Sequence, residues 1–432
     1  MPAATIFAPA TGPGRSALSV IRVSGSEAAG VAIAVAGTLP LPRAASLRRL
    51  HDPRDGQEID HAILLWFPAP RSPTGEDVLE IQCHGGSAVR EWLLEALASL
   101  EGCRLAEPGE FARRAFLAGK LDLTAVEGLA DLIEAQTRAQ ARQALRQLEG
   151  GLGLLLRQWR SRLLSALARL EAEIDFGDDG VEVPEAELDA EIALLATEMV
   201  ELLADRRGER LRDGLVIAVT GPPNVGKSSL VNALARREVA LVSEHPGTTR
   251  DVLEVQLEIA GIPVTMLDTA GLREAVDPVE AMGVARARAR AASADLALRL
   301  FALGTDAPPA EPAALQVATK RDLEPRVPVA PQVIAVSAVT GEGLPELLTA
   351  IVAEITPLAG LADEAVLTRA RHREAVATAL LALQRFGRLE AGEVALRAEE
   401  LRHAMRAIAR VTGAIGVEDV LDEIFARFCL GK

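Results

Sequence analysis

LVIAVTGPPNVGKSSLVNALARR, residues 215–237, is the stretch on which the fold turns. A short run of aliphatic residues stops at Gly221, and a helix-forming run opens six residues later. Between them GPPNVGKS (221–228) has the spacing G-x-x-x-x-G-K-[ST], which predicts a strand, a tight turn and a helix in that order. Such a turn presents backbone N–H groups, backed by a helix N-terminus, to an anion. Lys227 is placed to reach the outer phosphates of a nucleotide, and the Ser228 hydroxyl to ligate magnesium. Asn224, Val225, Gly226 and Ser229 complete the cradle. A chance glycine-rich turn is the bland alternative, and the flanking strand and helix weigh against it.

Three further apolar runs each end in a polar motif: VTMLDTAG (264–271), ALQVATKRD (314–322) and PQVIAVSA (331–338). Runs of this kind, separated by helical segments, predict a doubly wound parallel sheet whose strand ends carry the chemistry. In TKRD the Asp322 carboxylate suits the two neighbouring donors of guanine, a pair that adenine lacks. Thr319 and Lys320 flank it, and Ser337 with Ala338 offers backbone to the guanine oxygen. Asp268, Thr269, Ala270 and Gly271 form the metal and γ-phosphate side. GTTRD (247–251) supplies Thr249 as a second magnesium ligand. The order and spacing predict a Ras-like P-loop GTPase domain. Leu272 stands where many GTPases carry a water-orienting glutamine. Glu280 in DPVEAMG is the candidate replacement, with a solvated glutamate as the alternative. No arginine finger is identifiable, although Arg250 and Arg273 flank the site. Asn224 suits either a monovalent cation beside the phosphates or loop hydrogen bonding.

The composition sharpens this reading. Of 46 basic residues only Lys120, Lys227, Lys320 and Lys432 are lysines; asparagine occurs at 224 and 232 alone, and tyrosine never. A coding bias towards G and C explains such losses. Arginine does not replace a compact ammonium at a tight site, so the surviving lysines are enriched for functional positions. Asn232, inside the helix, is assigned to packing or helix–loop hydrogen bonds. A net charge of −15 argues against a broad phosphate-gripping surface. Three cysteines (Cys83, Cys103, Cys429) are too scattered for a disulfide framework or zinc knuckle. Neither a signal peptide nor a membrane span is expected, and a cytoplasmic location is.

Residues 1–118 alternate like strands at ALSVIRV, HAILLWF and DVLEIQC, with helices at SEAAGVAIAVAG and SAVREWLLEALASL, predicting an α+β domain. Residues 119–210 read as helical up to the glycine- and acid-rich break DFGDDGVEVPEAE. The GTPase domain is expected over 211–356 and a second helical part over 357–432. The fold class expected is multidomain α/β + α, a helical bundle interrupted by an inserted α/β domain.

Several stretches outside 211–356 carry a family likeness: TIFAPATGPGRSALSVIRVSG, TGEDVLEIQCHGG, AEPGEFARRAFLAGKLDLTAVEGLADLI, EAEIDF and the closing VEDVLDEIFARFCLGK. With the GTPase motifs, in this order, the whole chain resembles the MnmE (TrmE) family of tRNA-modification GTPases. The terminal C-[IL]-G-K is a feature of that family; Gly-Lys is a poor ending for the prenylation signal that a cysteine four from the end otherwise suggests.

The resemblance implies an N-terminal folate-binding-like domain that dimerises the protein and takes a one-carbon unit from 5-formyltetrahydrofolate. Arg22, Glu80, Lys120 and Lys432 fall on the family's folate-contacting positions. Ser243, Glu244, His245, Pro246, Gly247, Thr248 and Thr249 are carried over as nucleotide-binding. Within them Ser243, His245 and Thr248, with Asn224, would surround potassium, and Glu280 falls on the catalytic glutamate. Cys429 lies near the implied folate site and receives no chemical role. The implied activity is addition of an aminomethyl or carboxymethylaminomethyl group at carbon 5 of the tRNA wobble uridine. It implies a homodimer working with an MnmG-type FAD- and NADH-dependent partner in a heterotetramer. Two departures stand out. Thr319 replaces the usual asparagine, with a hydrogen bond to the base expected to be lost, and Pro73 replaces a tyrosine. A ribosome-assembly GTPase of the same superfamily would share residues 211–356 but need not carry these flanks. A folate enzyme with a regulatory GTPase insert is the third reading.

Overall fold

The computed structural model describes residues 4–176, 184–237, 239–240, 254–268, 293–307, 309, 311, 313–359, 366–414, 425, 428 and 431. They divide into two compact units, one holding the residues up to 130 and from 409 onward, the other residues 131–408.

In the first unit β1 (Thr5–Pro9), β2 (Leu18–Ser24), β3 (Ser46–His51), β4 (Glu58–Phe67), β5 (Val78–His84) and β6 (Cys103–Leu105) make one sheet in the order β3-β4-β5-β2-β1-β6. All neighbours are antiparallel except β1 and β6. The period-2 alternation decides the faces. Ala62, Leu64 and Trp66 of β4 and Leu79, Ile81 and Cys83 of β5 join the core with α1 (Ala28–Ala36) and α2 (Ser87–Ala98). Arg22 and Glu80 stand on the opposite face, directly paired across β2 and β5. There α3 (Glu110–Leu117) packs Phe111 against Ile6 and Ala8. Its successor α4 (Leu123–Glu134) buries Leu123 and Val126 against Phe425 and Phe428.

Arg114 of α3, 9% exposed, ties this unit together. Its guanidinium donates to Glu76 at 2.9 Å, Glu110 at 3.0 Å and the Ala4 carbonyl at 2.7 Å. Removing it takes three hydrogen bonds from this junction, two of them to carboxylates; Glu110 keeps Arg104 at 2.7 Å and Glu76 keeps the Ser24 hydroxyl at 2.8 Å. Arg114→Leu is therefore expected to cost about 3 kcal/mol locally. Amide hydrogen exchange in α3 and β1 should then run roughly a hundredfold faster; unchanged exchange would refute this role.

The second unit begins with helices. Thr137 and Gln140 cap α5 (Arg138–Leu148) reciprocally, so the helical region expected from residue 119 onward breaks between α4 and α5. Leu152, Leu156, Trp159, Leu163, Ala166 and Leu170 form the buried stripe of α6 (Gly151–Phe176), spaced alternately four and three apart. Leu188, Ile192, Leu195, Met199 and Leu202 do the same for α7 (Glu185–Ala204). The short α8 (Arg207–Asp213) then hands the chain to the sheet. Gln140 and Gln143 of α5 donate to its Arg212 and Gly208 carbonyls at 3.0 and 2.9 Å. Arg210 pairs with Asp295 at 3.2 Å, and Asp295 accepts from the Val216 amide at 3.0 Å.

The sheet has seven described strands: β7 (Leu215–Thr220), β8 (Val239–Ala240), β9 (Glu254–Ile259), β10 (Ile262–Asp268), β11 (Leu296–Ala302), β12 (Ala314–Thr319) and β13 (Val333–Ala335). Their order is β13-β12-β11-β7-β10-β9-β8. The five from β13 to β10 are parallel, and β9 and β8 make an antiparallel edge. β10 is buried throughout, as a strand covered on both faces must be. α9 (Lys227–Arg237) and α10 (Leu344–Ala359) join this core through Leu230, Leu234, Leu347 and Ile351. Helices resume with α11 (Ala370–Phe386), which packs along α7, and α12 (Val394–Thr412). The sheet is thus inserted in a discontinuous helical array.

Candidate functional site

After β7 the chain goes to the β8 edge, returns through β9 to β10, and then crosses to β11 on the other side of β7, so strand order reverses at β7. The crevice at the carboxyl ends of strands there is where such sheets bind ligands. The described nucleotide-site candidates gather at those ends. The loop 221–228 follows β7, Asp268 closes β10, Thr319 closes β12, and Ser337 lies two residues past β13.

The loop's curvature is set by backbone. Gly221 has φ +147°, and a side chain there would run into the Leu300 carbonyl of β11. Asn224 (φ 60°) and Gly226 (φ +105°) also have positive φ, which costs a non-glycine residue of order 1 kcal/mol or more. Lys227, 5% exposed, donates to the Gly221 and Pro222 carbonyls at 2.8 and 2.9 Å, so its ammonium lies across the loop's mouth. The Ser228 hydroxyl donates to Asp268, which is 7% exposed. This pair of hard oxygens fits magnesium. At the base end Ser337 is fully buried and donates to Asp322 Oδ1 at 2.6 Å. Lys320 has φ 64° and is exposed beside it. Thr319 is turned away from the base position: its hydroxyl donates to the Val225 carbonyl at 2.6 Å. Asn224, Ser228 and Ser229 are exposed along the cradle, and Ala338 is half-buried. Ser243, Glu244, His245, Pro246, Gly247, Thr248, Thr249, Thr269, Ala270, Gly271 and Glu280 lie outside the described residues.

In the first unit Arg22 donates to Glu80 Oε1 through Nε at 3.1 Å and Nη2 at 2.8 Å. The guanidinium also lies 5.8 Å from the Phe111 ring centroid. The chain at Lys120 returns towards the loop before β5: a Cβ at Gly75 would come 2.7 Å from Ala118 and 3.5 Å from Lys120 Cε. Gly431 (φ +91°) lies against Pro9 and Ala10, where a side chain would overlap the Pro9 carbonyl. Those residues adjoin Ala8, the β1 partner of Arg22. Lys432 and Cys429 lie outside the described residues. Burial pushes the Cys83 thiol up to about 11, with Asp60 adding to the shift, so it is no nucleophile at neutral pH. Burial raises Cys103 as well.

Sequence reasoning missed Arg114 and the Thr74–Glu76 turn, where Ser24 meets Thr74 at 2.7 Å and donates to Glu76 at 2.8 Å. The available signal was TGED next to a buried-strand pattern. A separate cavity of about 850 Å³ lies between α6, α7 and α8, beside Trp159, Glu198 and Arg207. Glu198 is held by Arg162 and Arg207 by Asp205.

A family profile described as the MnmE helical domain matches residues 123–429, and one described as the GTP-binding protein TrmE N-terminus matches residues 5–120. The protein of Methylobacterium radiotolerans called tRNA modification GTPase MnmE is 49% identical to this chain, with 99% of each covered. Proteins of the same description from Rhodopseudomonas palustris and Parvibaculum lavamentivorans are each 51% identical over 99% of the chain and 99% and 100% of their own lengths. The chain belongs to the MnmE family. The family match takes in the flanks as well as the sheet, which disfavours a GTPase sharing residues 211–356 alone. Among solved structures, the G domain of the T. maritima FeoB iron transporter aligns with 32% of this chain and 98% of its own, at 26% identity and TM-score 0.23. No helix among the described residues is long and apolar enough to cross a membrane.

Proposed function

We propose that this MnmE-family chain, a GTP hydrolase taking part in tRNA modification, installs a (carboxymethyl)aminomethyl group at carbon 5 of the wobble uridine. The one-carbon unit comes from 5-formyltetrahydrofolate, and an MnmG-type FAD- and NADH-dependent protein is the partner on tRNA. The protein acts in the cytoplasm as a homodimer. The observation that carries the GTPase part is the gathering of Lys227, Ser228, Asp268, Asp322 and Ser337 at the carboxyl ends of β7, β10, β12 and β13.

In this reading Lys227 and the loop amides hold the phosphates, Ser228 and Thr249 hold magnesium, and Asp322 reads guanine. Asn224, with Ser243, His245 and Thr248, holds potassium in place of an arginine finger. GTP turnover should accordingly rise roughly tenfold in potassium over sodium, because the smaller, more tightly hydrated sodium does not enter the site and one charge across it is then lost. Equal steady-state rates in the two salts would remove the cation from the reading.

Glu280 positions the attacking water, and Arg22, Glu80, Lys120 and Lys432 take the folate. Support for the last comes from covalent continuity: Lys432 follows Gly431, which sits against Pro9 and Ala10 beside the Arg22 pairing. The reading is tested by mass spectrometry of wobble uridine in tRNA from a strain lacking this protein. Wild-type chain should restore the modified base, whereas Glu280→Gln and Lys432 deletion should not. An unmodified uridine after wild-type complementation would refute the assignment, and restoration by either variant would clear that residue.

A further inference from the structure

We propose that Thr319, although it sits in the guanine motif, acts on the phosphate end of the site by holding one peptide of the loop in its binding orientation. The inference rests on the reading of residues 221–228 as the phosphate cradle. Thr319 is 4% exposed, and its hydroxyl lies 2.6 Å from the Val225 carbonyl and 3.2 Å from that of Phe301. A hydroxyl has one proton to give, and the shorter contact takes it. That proton is committed to the loop and not to a base.

The consequence follows from peptide geometry. In a planar trans peptide the C=O and N–H point in opposite directions. Anchoring the Val225 oxygen towards β12 therefore fixes the Gly226 N–H on the other side, where the cradle faces its anion. The glycine side of this peptide supplies little restraint of its own. Gly226 has φ +105°, and glycine accepts either sign of φ at little cost. Beyond the adjoining residues no atom lies within 4 Å of a Cβ built there, so no side chain crowds the Gly226 side of the 225–226 peptide. The Thr319 hydroxyl is the restraint described at that oxygen. A threonine in place of asparagine thus spends its hydrogen bond on the phosphate loop.

The test uses full-length protein and equilibrium competition of GTP, GDP and 7-deaza-GTP against a fluorescent guanine nucleotide. Thr319→Val keeps the shape and removes the donor. Its Kd should rise about tenfold for all three nucleotides, the worth of one buried hydrogen bond, leaving the ratio of GTP to 7-deaza-GTP as in wild type. Thr319→Ser should restore wild-type affinity. An unchanged Kd would overturn the proposal, as would a loss for GTP that exceeds the loss for 7-deaza-GTP, since a hydroxyl serving the base would donate to an acceptor that this analogue lacks. Comparing Thr319→Ala with Thr319→Ser makes the same distinction should the valine variant fold poorly. Wild-type protein that binds none of the three would refute the cradle reading itself, before any variant is made.

Discussion

Asp322→Asn is expected to weaken GTP binding about a thousandfold and to create affinity for xanthosine triphosphate. The geometry at the base end sets the direction. Ser337, fully buried, donates to Asp322 Oδ1 at 2.6 Å, which leaves the second carboxylate oxygen outward. Guanine brings two adjacent donors to that oxygen, and a charged acceptor makes each bond stronger than a neutral one. In the asparagine variant the Ser337 hydroxyl still donates to the remaining oxygen, so the amide NH₂ takes the outer position. It then meets the guanine donors with donors of its own, which leaves buried polar groups unpaired. Xanthine has a carbonyl where guanine has its amino group, and the NH₂ pairs with it. Competition binding of GTP and XTP to both proteins measures the exchange. A variant that keeps GTP within a few-fold and gains no XTP would show that Asp322 is not the base reader.

That prediction was legible in the sequence because Asp322 carries its role in side-chain chemistry and sits three residues past β12, whose apolar run Gln316 alone interrupts. Such runs at β7, β10, β12 and β13 announce a covered parallel sheet. Other elements were silent for physical reasons. β11 runs beside β7 in the sheet, but Arg299 interrupts LALRLFA and hides it. β3, SLRRLH, lies at a sheet edge, where only one strand pairs with it and polar residues are tolerated. At the site, Lys227 and Ser228 could be read from spacing. Two structural facts could not: the Thr319 hydroxyl turned to Val225, and Arg114 joining α3 to β1. Each joins residues 94 or 110 positions apart, and no local pattern encodes such a meeting. The expectation that the threonine merely loses a hydrogen bond to the base missed the bond it makes instead.

Lys227→Arg should be nearly as damaging as Lys227→Ala, each lowering GTP turnover by about three orders of magnitude. Conserving the charge does not conserve the fit. The ammonium is 5% exposed and hemmed in by the Gly221 and Pro222 carbonyls, at 2.8 and 2.9 Å, from its own loop five and six residues back. A compact ammonium turns its three donors between those oxygens and a phosphate. A guanidinium is planar and wider, with donors in a fixed fork, and it displaces the loop it is meant to close. The chain supplies its own control, because 42 of its 46 basic residues are arginine, so the exchange is tolerated wherever a long cationic side chain suffices. Arg114 shows arginine at its best, with separate carboxylates and a carbonyl arrayed around the fork. Single-turnover hydrolysis with saturating GTP, beside nucleotide-binding measurements on both variants, separates lost chemistry from lost affinity. An arginine variant that turns over GTP within tenfold of wild type would break the link between lysine scarcity and function, and Lys120, Lys320 and Lys432 would lose that argument with it.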